Sequence, residues 1–204
     1  ENYSRVNSNF FGDHTGLNIA GFGQFEIRPL YRLKAVAGLR VENNSLDGIN
    51  DKVVPVFRAG LNWQAADYTF LRASFGQGYR YPAIAEKYAS TTLGSVTIIP
   101  NPEIQPESGW STEAGIKQGI LLGKMRGQAD VSLFMSQNEN MIEYYLALYE
   151  GVQGFKATNI EQSRVYGGEF EFMLNRLIGN INTTISGGYT LIYPVEFNRY
   201  TNKN

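Results

Sequence analysis

The chain has 204 residues, a net charge of −1 and no cysteine. It is long enough to form one domain with a sizeable core, but it excludes disulfide bonds and thiolate metal sites, and its near-neutral charge gives no electrostatic reason to expect nucleic acid or anionic lipid as a partner. No run of about 18 apolar residues occurs, which excludes a transmembrane helix but not a transmembrane β-barrel, whose apolar residues are spaced by two.

Eight β-strands are predicted, because eight stretches alternate apolar with polar or small side chains. The second is the clearest: its odd-numbered residues from Leu33 to Val41 are apolar, and most even-numbered residues from Arg32 to Glu42 are charged. In chain order the predicted strands span about residues 18–27, 32–42, 53–64, 71–79, 110–117, 125–136, 157–174 and 181–191.

The remaining stretches are predicted as connections. Residues 1–16, with the single histidine His14, are interpreted as the end of a loop, and residues 137–156 as irregular, with part of them a strand above the membrane or a short helix. Connections near residues 29, 66, 122 and 177 are short, and those near 47, 95, 147 and after 192 are long. Short turns at one end and long loops at the other are typical of bacterial outer-membrane barrels. All seven prolines are expected in turns, in loops or at a strand start.

The apolar faces of the first six strands and the eighth carry no Asp, Glu, Lys or Arg. Lipid is therefore expected on these faces and water on the opposite ones, because an arginine facing the middle of the bilayer costs about 2–4 kcal/mol. A lysine should block membrane assembly at Ala37 or Leu61 and be tolerated at Gly38 or Asn62. Arg164 shares the parity of Phe170, and we expect it either above the membrane or shifted by a bulge.

Three motifs carry a resemblance to a known family. They are GYRYP at 78–82 with EKY at 86–88, NPEIQPES at 101–108, and the alternating residues of the strand that follows. Together with residues 23–42 and 164–172, they resemble the barrel of a TonB-dependent outer-membrane receptor, with Ile104 where the family usually has leucine. The residues that match the family motif are Gly78, Arg80, Pro82, Asn101, Pro102, Pro106, Glu107, Glu113, Gly115 and Lys117.

The resemblance implies a fold and a setting. Residues 1–204 are expected to form about eight strands from the C-terminal half of a larger antiparallel up-and-down transmembrane β-barrel, an all-β fold, with the family's plug domain and final strands outside these residues. The implied location is the outer membrane of a Gram-negative cell, in contact with its lipid.

The implied activity is nutrient import without catalysis and without a cofactor. The receptor would bind an extracellular siderophore, corrinoid or glycan and import it with energy from a periplasmic TonB-type protein that contacts the plug. The ligand site is expected on extracellular loops and lumen-facing side chains, because tyrosines offer rigid amphipathic contacts and arginines bind anions in a forked geometry. The candidate ligand-binding residues are Arg80, Tyr81, Glu86, Tyr144, Tyr145 and Tyr149.

Two other functions stay open at this point. A soluble carbohydrate-binding β-sandwich would pack the apolar faces on each other, and an outer-membrane hydrolase barrel would need catalytic partners for His14. The acidic residues Asp47 and Asp51 are interpreted as a polar turn, since their spacing is not that of an EF-hand. Glycines 76 and 78 lack the βαβ unit of a dinucleotide site.

Overall fold

The computed structural model describes residues 2–94 and 96–197, which form twelve β-strands and one short helix. The elements are β1 (Asn2–Ser8), β2 (Gly12–Leu30), β3 (Leu33–Leu46), β4 (Ile49–Asn50), β5 (Val54–Ala66), β6 (Thr69–Arg80), α1 (Ile84–Tyr88), β7 (Thr91–Leu93), β8 (Val96–Ile99), β9 (Glu107–Leu122), β10 (Met125–Tyr149), β11 (Val152–Ile178) and β12 (Ile181–Phe197). No helix among the described residues is long and apolar enough to cross a membrane.

Eight long strands form one antiparallel up-and-down sheet, in the order β2-β3-β5-β6-β9-β10-β11-β12. β1 extends the sheet beside β2, and β8 pairs in parallel with the upper part of β11. Within the described residues β1 and β12 do not pair, so the sheet is open. The predicted all-β class and the predicted number of long strands are confirmed.

Every connection at one end of the sheet is a two-residue turn, at 31–32, 67–68, 123–124 and 179–180. At the other end β6 and β9 are joined by the long segment 81–106, as predicted. The long connection predicted near 147 is wrong, because β10 and β11 are joined by a tight turn at Glu150 and Gly151, both with positive φ. The stretch that was predicted as a long loop is instead the end of two long strands, β10 and β11.

Several predicted boundaries are also wrong. Residues 2–8 and 12–16 are strand rather than loop, so His14 lies within β2. Pro194 lies inside β12, where it pairs with Val165; proline is tolerated there because β12 is at the edge of the described sheet. Pro29 lies inside β2 next to a register shift between Ile27 and Leu30. The long connection predicted after residue 192 falls beyond residue 197, outside the described residues.

Strand register keeps the two faces of the sheet chemically distinct, because directly paired residues point to the same side. On one face Leu61 pairs with Ala35 and Ala73. On the other face Asn62 pairs with Lys34 and Arg72. We call these the apolar face and the polar face. Side chains of the apolar face are exposed, with 51% for Leu61 and 68% for Leu133, and no second sheet covers them in the described part of the chain.

Arg164 keeps the parity of the apolar face, with no register shift between β10 and β11. Its Nε and Nη2 donate to Oε1 of Gln137, at 3.2 and 2.7 Å. A tilted strand crosses the hydrocarbon in about 9–11 residues, and that length, measured from Leu174 near the short turn, ends near Arg164. The constant register makes the bulge alternative wrong. The length argument places Arg164 at the upper boundary of the apolar band.

The few buried side chains lie on the polar face or in the segment that covers it. Leu46 is 6% exposed, Ile104 2% and Ala157 0%, and the buried polar residues include Glu42 and Asn44. The core is therefore formed between the sheet and the segment 81–106, not between two sheets.

Ala73 and Ser74 are adjacent residues on opposite faces of β6, which makes them a matched pair. We expect Ala73→Lys to abolish assembly into the outer membrane, since lysine facing mid-bilayer costs about 2–4 kcal/mol. Ser74→Lys should be tolerated, because its partner Glu113 compensates the charge. The measurement is the amount of heat-modifiable, folded full-length protein in outer-membrane fractions. Equal losses for the two variants would contradict the assignment of the faces.

Candidate functional site

The segment 81–106, which contains α1, β7 and β8, bridges the polar face of the sheet; we call it the bridging loop. At one side the Tyr88 ring stacks on His14 of β2 at 3.9 Å, and the amide of Ser90 donates to Phe10 O at 2.9 Å. At the other side Asn101 Nδ2 donates to Ala157 O of β11 at 2.8 Å. The bridging loop therefore connects strands that are not neighbours in the sheet.

An ion-pair cluster fixes the start of the bridging loop to the ends of β6 and β9. Arg80 Nη1 and Nη2 donate to the two oxygens of Glu86 at 2.9 and 3.0 Å, and Arg80 Nε donates to Glu107 at 2.6 Å. Glu86 also accepts from the amide of Ala83 at 2.7 Å, and Glu107 from the amide of Ile142 at 2.6 Å. The Arg80 guanidinium, with help from the Ile142 amide, lowers the pKa of Glu107. Three residues that the sequence motifs singled out thus form one cluster.

The second motif, NPEIQPES, fixes the end of the bridging loop to β10 and β11. The Asn159 side chain forms the two hydrogen bonds with the Gln105 main chain that a neighbouring strand would form. Its Oδ1 accepts from the Gln105 amide at 2.8 Å, and its Nδ2 donates to Gln105 O at 2.9 Å. The same Nδ2 donates to Asn140 O at 2.8 Å. Ile104 inserts between loop and sheet and is 2% exposed. The apolar requirement at this position explains why isoleucine can replace leucine.

His14 and Asp47 join the bridging loop to the β2–β3 hairpin. His14 Nδ1 lies 2.7 Å from Asp47 Oδ2, and the Thr15 amide donates to Asp47 Oδ1 at 2.9 Å. The Thr15 hydrogen bond, and then the one from His14, lower the pKa of Asp47. His14, which was predicted to lie in a loop, is instead held between the Asp47 carboxylate and the Tyr88 ring. No group of three or more potential ligands for a metal ion occurs among the described residues.

The tyrosines of the predicted site have different surroundings. Burial, and then a hydrogen bond with Asp51, raise the pKa of Tyr81, and the Lys87 ammonium lies 5.0 Å from its ring centroid. Tyr144 Oη donates to Ala85 O of α1 at 3.4 Å. Tyr149 lies near the tip of the β10–β11 hairpin, where its Oη donates to Tyr145 O at 3.1 Å, and Tyr145 is 64% exposed. The structure brings Arg80, Tyr81, Glu86 and Tyr144 to the bridging loop, whereas Tyr145 and Tyr149 are at the hairpin tip.

A cavity of about 530 Å³ lies on the polar face beside the Arg80–Glu107 pair. Small residues of three adjacent strands line it, among them Gly76 and Gly78 of β6, Ser111 of β9 and Asn138 of β10. A Cβ at Gly78 would meet no atom within 4 Å. Gly78 of the first motif thus borders open space on the polar face of the sheet.

Arginines on the polar face lie flat across glycines of the neighbouring strand. Arg72 covers Gly115, where a Cβ would be 2.8 Å from Arg72 Cζ, and reaches Glu113 at 3.0 Å and Asp130 at 2.7 Å. The motif residues Glu113 and Gly115 therefore accommodate this arginine, while Lys117 pairs with Asp130 across the strands.

Arg58 covers Gly38 in the same way, with a Cβ at 2.7 Å from Arg58 Nε, and donates to Gln24. A side chain at Gly38 would meet the flexible Arg58 side chain, so the tolerance of a lysine at Gly38 stays a prediction that requires Arg58 to move.

Sequence reasoning missed Asn159, Asp130 and the role of Asp47. Each acts by contacting a residue distant in sequence, and no local motif marks them. The one available signal in the sequence was that Asp130 is predicted on the polar face of its strand, as Lys117 is on the strand before it.

The family described as "TonB dependent receptor-like, beta-barrel" matches residues 1–204 of the chain. No curated protein sequence matches the chain.

Solved structures of low sequence identity share the fold. The chain is similar to a double mutant of the Serratia marcescens hemophore receptor HasR in complex with its hemophore HasA and heme, with a TM-score of 0.72 and 16% identity over 89% of this chain and 35% of that one. It is similar to the copper transporter OprC, with a TM-score of 0.61 and 22% identity over 86% of this chain and 29% of that one. The siderophore receptor PirA from Acinetobacter baumannii gives a TM-score of 0.65 and 13% identity over 90% and 29%. The chain thus spans about a third of the length of these solved chains.

The Arg80 cluster is expected to hold the bridging loop in place. Arg80→Met leaves Glu86 and Glu107 close together without a cation, so limited proteolysis within residues 81–106 should become at least about tenfold faster, since loss of about 1.4 kcal/mol of local stability has that effect. Arg126→Met, at an exposed position near a short turn, is the matched control and should leave the rate unchanged. An unchanged rate in Arg80→Met would show that other contacts suffice.

Acid should release the same loop. The pKa values of Asp47 and Glu107 are lowered in the folded chain, from ordinary values of 3.8 and 4.5. Their contributions to stability are therefore complete above those values and are lost as the pH falls through the lower folded ones. A bimane label at Ala83→Cys should report a constant environment from pH 7 to 5 and a change below about pH 4. In Asp47→Asn the acid change should be smaller; an identical acid change would exclude Asp47 as a cause.

Proposed function

This chain belongs to the TonB-dependent receptor β-barrel family, and from that premise we propose that it forms part of the barrel wall of an outer-membrane receptor that binds an extracellular nutrient and imports it. In this proposal energy comes from a periplasmic TonB-type protein that acts on the plug. The step is binding followed by a gated rearrangement, with no bond of the nutrient made or broken.

The separation of the two faces is the observation that carries the proposal. A single sheet with exposed residues such as Phe25, Leu61 and Leu133 on one face, and with ion pairs such as Arg72–Asp130 on the other, is stable where one face meets lipid and the other water. The two-residue turns would then be periplasmic, and the bridging loop and the β10–β11 hairpin extracellular. A soluble sandwich would need a second layer on the apolar face.

The named relatives of similar fold support the class of activity. They include a receptor for a hemophore, a copper transporter and a siderophore receptor. Their different cargoes favour none of siderophore, corrinoid or glycan for this chain, so the proposal names a scarce extracellular nutrient.

The ligand contacts in the proposal come from tyrosines above the polar face. Arg80 and Glu86 bind each other through two hydrogen bonds, so we propose that they act on the ligand by holding the bridging loop. Tyr81 and Tyr144 beside that loop, and Tyr145 and Tyr149 at the hairpin tip, offer rings that a ligand can stack on. The cavity beside Gly78 lies next on the path toward the periplasm.

Uptake by intact cells tests the proposal. Deletion of the whole gene should reduce accumulation of one labelled probe at least about tenfold among a ferric siderophore panel, a corrinoid and a maltooligosaccharide, since energy-driven import cannot be replaced by diffusion of molecules of this size. An uncoupler of the proton gradient should have the same effect in wild-type cells and none in the deletion strain. Unchanged accumulation of all three classes would contradict nutrient import. Uptake that resists the uncoupler would contradict the TonB-type energy source.

A further inference from the structure

The β10–β11 hairpin continues beyond the strands that flank it. β9 pairs with β10 only as far as Ser108 with Glu139, whereas β10 continues to Tyr149. Within the described residues no strand pairs with the β9-facing side of residues 143–149, which we call the free edge. An unpaired strand edge is a template for another extended chain.

The main-chain groups of the free edge are oriented for pairing. The Ile142 amide donates to Glu107 Oε1 and therefore points toward β9. Along an antiparallel strand, every second residue points its N–H and C=O groups to the same side. Tyr144, Leu146 and Leu148 thus direct their main-chain groups to the free edge, while the residues between them face β11.

The free edge lacks the usual protection of exposed strands. Natural proteins protect such edges with lysine, proline or a covering segment, but residues 141–149, MIEYYLALY, contain neither residue. Tyr145 is 64% exposed, Leu146 47% and Leu148 70%. β12, at the end of the described sheet, carries Pro194 in contrast. Exposed apolar surface of this kind marks an interaction site.

Charge restricts the occupant of the free edge. Residues 143–150, the free edge and the first residue of its turn, contain Glu143 and Glu150 and no Lys or Arg. The nearby Lys156 lies on β11, with its ammonium 5.5 Å from the Tyr149 ring centroid. A second copy of the chain would bring the same acidic edge and repel it, whereas a strand with basic side chains would be attracted.

We propose that the free edge docks an extended polypeptide segment of a partner protein, with alternating basic and apolar side chains, as an additional strand beside β10. Main-chain hydrogen bonds to Tyr144, Leu146 and Leu148 supply the affinity, and Glu143 and Glu150 supply the preference for basic residues. The partner is extracellular, a point that rests on the proposed orientation of the barrel.

Peptide binding to the purified full-length receptor in detergent tests the proposal. The probe is a fluorescent peptide with the sequence Lys-Val-Thr-Val repeated twice, and its comparator is Glu-Val-Thr-Val repeated twice. The basic peptide should bind at least about tenfold more tightly at low ionic strength, and the advantage should shrink at 0.5 M salt because ions screen exposed charges. Equal binding of the two peptides, or no saturable binding of either, would overturn the proposal.

Two variants at one position separate main-chain pairing from side-chain contact. Leu146→Pro removes an N–H that points to the free edge and leaves the ladder to β11 intact, so affinity should fall at least about tenfold. Leu146→Val keeps the N–H and should stay within about threefold. Equal loss in both variants would overturn strand addition, and so would unchanged binding in Leu146→Pro. Unchanged thermal unfolding confirms that each variant folds.

Two further measurements exclude other occupants and test the orientation. Light scattering should show a monomeric receptor; a dimer that dissociates in Leu146→Pro would make a second copy the occupant and overturn the proposal. A membrane-impermeant maleimide should label Leu148→Cys on intact cells. Absence of labelling would contradict the proposed orientation itself, whereas labelling with no peptide binding would overturn only the strand-docking proposal.

Discussion

The parity of side chains along each strand is the constraint on which this structure depends. The sheet is a single layer, so each residue faces either the apolar or the polar side, and a shift of one residue would exchange the two. Register is preserved between β10 and β11 along their length, and even Arg164 keeps its parity and bonds Gln137 near the limit of the apolar band. The two chemically different faces, rather than a packed interior, therefore determine in which surroundings the sheet is stable.

The polar face gains its internal order from the bridging loop. A single sheet buries little, and the buried apolar residues of the described chain, Leu46, Ala89, Ile104 and Ala157, lie in this loop or where it covers the sheet. Arg80 with its two carboxylates fixes one end of the loop, and Gln105 with Asn159 fixes the other. The family motif is thus largely a set of loop attachments.

The length of β10 and β11 shapes the end of the sheet opposite the two-residue turns, and the count of loops in the sequence did not reveal this. The sequence between residues 137 and 156 is polar and rich in tyrosine, which was interpreted as an irregular connection with some strand or helix. In the structure the whole stretch is hairpin, because Glu150 and Gly151 adopt the positive φ values that a tight turn requires. As a consequence β10 extends beyond its neighbour β9 and exposes the free edge around Leu146.

Alternation along the sequence by itself determined the all-β class, the eight long strands and the assignment of residues such as Ala37 and Leu61 to the apolar face, because a period of two is a local property. The motif residues Arg80, Glu86 and Glu107 could also be singled out from sequence, through family resemblance. Only the tertiary structure decided what they do. It paired Arg80 with both carboxylates, placed Arg58 over Gly38, held His14 between Asp47 and Tyr88, and joined Gln105 to Asn159. These contacts join residues far apart in the chain, and the spacing of residues along the sequence does not indicate which distant side chains will be in contact.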